Sequence, residues 1–98
     1  IATVWRRDLP MPPALSSLVT ASPQLRAGFA DALAGRRSID ASSALAELLV
    51  DPVVDVRRAA AAALFRSFGD AIPYDPLGPE SERSVAAARL RALHNRRP

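Results

Sequence analysis

The chain has 98 residues and a mass of 10.4 kDa, enough for one small domain that buries about 60–65% of its unfolded surface. Hydrophobic residues make up 49% but aromatic ones only 5%, and the abundance of alanine predicts an all-α fold of closely packed helices over an aromatic-rich β-sandwich. A net charge of +3 comes from 13 arginines and no lysine, while the absence of cysteine excludes disulfides, thiol nucleophiles and cysteine-ligated zinc.

In chain order, residues 1–12 read as an extended segment, starting at Ile1 instead of Met as a processed product or a piece of a longer chain would. A first helix is expected through Ala14–Val19, with Leu15, Leu18 and Val19 on one stripe. Ser22-Pro23 then offers a cap followed by proline at the first helical position, opening a helix whose apolar arc is Leu25, Phe29 and Leu33. Gly35 is placed for a left-handed C-terminal cap, and Arg36-Arg37 favour the negative end of the helix dipole.

Asp40 is expected to cap a helix reaching about Val50, with Leu45, Leu48 and Leu49 facing inward. Asp51-Pro52 repeats the cap-plus-proline signal before a helix with Val56, Ala60, Leu64 and Phe68 on its arc, ending at Gly69. Phe29, Phe65 and Phe68 are assigned to cores. Residues 70–79 carry Pro73, Pro76, Gly78 and Pro79, a density that forbids regular helix and reads as a loop. A last helix spans about Glu80 to His94, with Val85, Ala86, Leu90 and Leu93 on one side and Arg89 inside that arc; a basic tail completes residues 80–98.

Two stretches repeat. Ala14–Val19 aligns with Ala44–Leu49 at an offset of 30, and Leu25–Leu33 aligns with Val56–Leu64 at an offset of 31. A helix-pair period of this size is the signature of an α-solenoid. Ser43–Pro52 followed by Val56, Arg57, Ala60, Ala63 and Leu64 resembles the HEAT-repeat family over about residues 13–69. The resemblance implies a short α-solenoid of two antiparallel helix pairs plus a C-terminal helix. It also implies a hydrogen-bonded ladder through Asp51 and, six residues on, Arg57, with Arg26 as the first-unit arginine. That unit departs from the pattern by having Ala21 at the aspartate position, with Ser22 beside it. Independently, Arg26 and Arg57 fall within apolar arcs, where an unpaired guanidinium is costly, so each requires a carboxylate or carbonyl partner.

Catalytic patterns are poor. His94, the one histidine, lacks a neighbouring carboxylate to orient it as a base, and Ser16, Ser17, Ser42 and Ser43 show no nucleophile-elbow spacing. Asp70, Asp75, Glu80 and Glu82 do not follow cation-loop spacing, and Gly28, Gly35, Gly69 and Gly78 form no phosphate loop. No apolar run is long enough to span a membrane. The expectation is a non-catalytic, cofactor-free interaction or assembly element whose partner is another protein or the rest of its parent chain. Trp5, Val54, Phe65 and Arg89 are the candidate contacts. The alternative is nucleic-acid backbone binding through Arg36, Arg37, Arg66, Arg96 and Arg97.

Overall fold

The structure, a computed structural model, describes residues 22–93. Helices α1 (Pro23–Leu33), α2 (Ile39–Leu49), α3 (Val54–Phe68) and α4 (Glu80–Ala92) follow one another, with a 3₁₀ turn at Gly69–Ala71 and no strand among the described residues. The expected segment 1–12, the helix through Ala14–Val19, Ala21, His94 and the basic tail lie outside the described residues.

Local chemistry sets the helix starts. Ser22 stands in extended conformation before α1, its hydroxyl accepting the N–H of Leu25 at 3.2 Å, with Pro23 at the first helical position. For α2 the expected cap moves: Ser38 accepts the N–H of Ala41 at 3.1 Å, and Asp40 sits inside the first turn, where its charge favours the dipole without capping. The start of α3 also moves. Pro52 is not its first residue; the helix opens after Val53 with no side-chain cap, because Asp51 turns its carboxylate toward α1 while one oxygen accepts the Val53 N–H at 2.9 Å. Gly35 and Gly69 adopt positive φ, 84° and 61°, beyond the ends of α1 and α3. Gly69 has ψ −134°, so it is not a left-handed helical cap but a glycine-specific bend into the 3₁₀ turn.

Each helix has its main partner two places along the chain: α1 packs chiefly on α3, and α2 on α4, with α2 also against α3. Bonds at both ends show that α1 and α3 run in the same direction. Arg26 of α1 reaches Asp51 just before α3, and Gly35, after α1, donates to the Ser67 hydroxyl near the end of α3 at 2.8 Å. Arg91 near the end of α4 meets Glu47 near the end of α2 at 2.7 Å, bringing those two helix ends together. The core is built from Phe29, Leu33, Leu45, Leu48, Leu49, Val56, Leu64, Ile72 and Leu90, filled between by alanines.

Two expectations about faces are corrected. Helix α4 ends at Ala92 and buries Ala86, Ala87 and Leu90, leaving Val85 and Leu93 accessible and Arg89 exposed outside the buried arc. Ala86 and Ala87 join Leu90 in the core, so the buried arc is centred on small side chains and the longer Val85 and Leu93 fall outside it. Phe65 is not a core residue: it is 62% exposed, whereas Phe29 is buried and Phe68 is packed partly against the core.

Candidate interaction surface

The interior of the molecule holds an arginine-centred strut. Nε of Arg26 donates to Oδ2 of Asp51 at 2.7 Å and NH2 to Oδ1 at 3.2 Å, a two-point contact with both side chains largely buried. The same carboxylate accepts the Val53 N–H, so one side chain serves α1 and the entry of α3 together. Arg57 does not meet that carboxylate. Its NH1 donates to the Asp51 carbonyl at 2.8 Å and its Nε to the Pro76 carbonyl at 2.8 Å, bridging the turn before α3 to the long loop after it.

That loop is held from three sides. The Tyr74 hydroxyl donates to the Leu49 carbonyl at 2.6 Å, Arg57 takes the Pro76 carbonyl, and Arg83 NH1 donates to the Gly78 carbonyl. Burial pushes the Tyr74 phenol up to about 12, against the opposing pull of the Arg57 and Arg83 charges. The Arg83 Nε is buried without a hydrogen-bond partner among the described residues. Within the loop, Asp75 caps a turn by accepting the Leu77 N–H at 2.9 Å.

The surface arginines divide by occupation. Arg36 Nε donates to the Ala32 carbonyl at 3.3 Å, and Arg37 Nε to the Ser67 carbonyl at 2.6 Å with its guanidinium 5.5 Å from the Phe68 ring centre. Arg36 thus closes the last turn of α1, while Arg37 ties the segment after α1 to the end of α3. Arg58, Arg66 and Arg89 are exposed, with no hydrogen bond or ion pair to another described residue. Trp5, Arg96 and Arg97 lie outside the described residues.

The outer side of α3 carries an open apolar patch. Val54 and Ala61 are half-buried and Phe65 projects into solvent. Beside Phe65 an open groove of roughly 230 Å³ is lined by Ala61, Leu64, Ile72, Pro73 and Tyr74, with Asp70 at its edge. Its volume lies below the ~300–1,000 Å³ of small-molecule sites. It does not contain Arg89, which stands on α4. No group of three or more His, Cys, Asp or Glu side chains placed to hold a metal ion occurs among the described residues. No described helix is long and apolar enough to cross a membrane.

Sequence reasoning missed Ser38, Ser67, Tyr74 and Arg83. Ser38 carried a readable signal, a capping residue three before the Ala41 N–H it serves. Ser67, Tyr74 and Arg83 act through partners 32, 25 and 5 residues away, which no local pattern announces. Comparison of the chain with protein-family models, with curated proteins and with solved structures finds no match.

Proposed function

We propose that the chain is a non-catalytic interaction or assembly element, a short α-solenoid segment of HEAT-like type working within a larger protein or complex. The observation that carries this reading is the α3 face, where Phe65 is 62% exposed beside an apolar groove. Support for the solenoid arrangement comes from the parallel pairing of α1 with α3. The Arg26–Asp51 contact, which joins one repeat unit to the next, supports the HEAT-like reading.

Nothing converges on the groove that resembles a reacting pair. Its titratable side chains are Asp70 and Tyr74, and the latter spends its proton on the Leu49 carbonyl. The nucleic-acid alternative has less support, since Arg36 and Arg37 are engaged within the fold and only Arg66 of the described phosphate candidates stands free of described partners.

Co-purification of the tagged chain from its native source, with sedimentation of the isolated chain, tests the reading. The expected result is a stoichiometric protein partner retained through stringent washing. A folded monomer at all concentrations with no retained partner overturns it. A low-salt shift of generic duplex that vanishes at higher ionic strength would transfer support to phosphate binding.

A further inference from the structure

Resting on the interaction reading, we propose that the chain assembles head to tail, its proline-bearing segment Arg7–Pro13 seating in the groove beside Phe65 of a second copy. The groove has the lining that receives polyproline II ligands, aromatic rings and apolar ridges against which proline packs. Phe65 lines it from α3 at 62% exposure, and Pro73 and Tyr74 line it from the loop, with buried Leu64 and Ile72 between them. The Tyr74 hydroxyl is tied to the Leu49 carbonyl, so this side of the groove is set before any ligand arrives.

A segment of matching chemistry lies in the same chain. Arg7-Asp8-Leu9-Pro10-Met11-Pro12-Pro13 carries Pro-x-x-Pro, a pattern whose prolines favour polyproline II. At three residues per turn and 3.1 Å per residue, that form puts Pro10 and Pro13 on one edge about 9 Å apart, with Arg7 on the same edge about 9 Å before Pro10 and Asp8 turned off it. Charge fixes the direction. Asp70, the acidic side chain lining the groove, is exposed and has no hydrogen bond or ion pair to another described residue, so it receives Arg7 while the prolines pack on the apolar lining.

The topology delivers the segment to a neighbour. It enters the fold through α1, whereas the groove opens on the side of α3 that α1 leaves uncovered. Arg26 meets Asp51 at the entry of α3, which puts Ser22 at that end; Phe65 is about 16 Å further along α3, and packed helix axes add about 8–10 Å across. With the helix expected through Ala14–Val19, the chain from Pro13 to Ser22 reaches about 19 Å, short of a route along α3 and around it. The segment therefore meets the groove of the next copy, a heterologous contact that repeats from one copy to the next.

The test is sedimentation of the full chain and of two variants, Phe65→Asp, which spoils the groove, and the double variant Pro10→Ser, Pro13→Ser, which spoils the segment. Phe65 is exposed, so Phe65→Asp should keep the thermal unfolding midpoint of the wild type. The wild type is expected to self-associate as concentration rises and each variant to stay monomeric. An equimolar mixture of the two variants should form a one-to-one heterodimer, since one supplies the segment and the other the groove. Arg7→Glu should weaken wild-type association at least tenfold, and Arg7→Glu combined with Asp70→Arg should restore it. Association that survives either variant, or a mixture that stays monomeric, overturns the head-to-tail contact. A monomeric wild type that still retains a native protein partner overturns the contact and leaves the interaction reading standing; a monomeric wild type with no retained partner overturns both.

Discussion

Asp51 shows how much one side chain can carry. It meets the Arg26 guanidinium at two points and caps the Val53 N–H, all from a position 8% exposed. Removing it strands a largely buried cation, so Asp51→Ala should cost about 3 kcal/mol, read by urea unfolding. Asp51→Asn keeps an acceptor for Val53 and for one arginine N–H, and should cost about half as much. Tyr74 supplies a second residue-level test. Its phenol loses its proton near 10 in the unfolded chain and near 12 in the folded one, so between these values the unfolded state binds fewer protons and stability falls as pH rises. The contribution is fully present below pH 10 and gone above pH 12. The chain has one tyrosine, so tyrosinate absorbance reports Tyr74 alone, and Tyr74→Phe should flatten the alkaline loss seen in unfolding experiments between those limits.

At the scale of elements, two glycines separate propensity from geometry. Gly28 lies exposed within α1, and a methyl group added there meets nothing within 4 Å. Gly28→Ala should therefore stabilise by about 0.5–1 kcal/mol through helix propensity alone. Gly69 has equal space around it but φ +61°, so Gly69→Ala should destabilise by about 1–2 kcal/mol for purely conformational reasons. Opposite shifts in thermal unfolding midpoint check the pair, and shifts of one sign would refute the contrast. Element boundaries were legible where one signal stood alone, as at Ser22-Pro23. They slipped where two candidates competed: Ser38 and Asp40 are both competent caps, and only the helix phase decides between them. The buried side of α4 was unreadable for a different reason. Its inward residues are two alanines and one leucine, which give a weak stripe, so the packing of α2 rather than the pattern of α4 determines which side turns in.

For the molecule as a whole, the helical class followed from composition. The need for partners at Arg26 and Arg57 was also readable, from the cost of burying a guanidinium. Which partner each would take was not. The family resemblance implied a ladder through Asp51, Arg57 and Arg26; the Asp51 carboxylate reaches across to Arg26, and Arg57 takes two carbonyls. Phe65 carried two readings in the sequence, core residue and candidate contact, and at 62% exposed it is not core.

The pairing of each helix with the one after next has a consequence for how the chain comes into being. The bonds tying α1 to its neighbours close loops of 25 and 32 residues, and the α4 bond to Glu47 closes one of 44. During synthesis, α1 emerges long before α3, and at ~5–20 residues per second its principal partner follows about 2–7 s later. Through that interval Phe29 and Leu33, both wholly enclosed in the finished fold, lack α3 as cover, making the stage before α3 emerges the one at which chaperone capture is most advantageous.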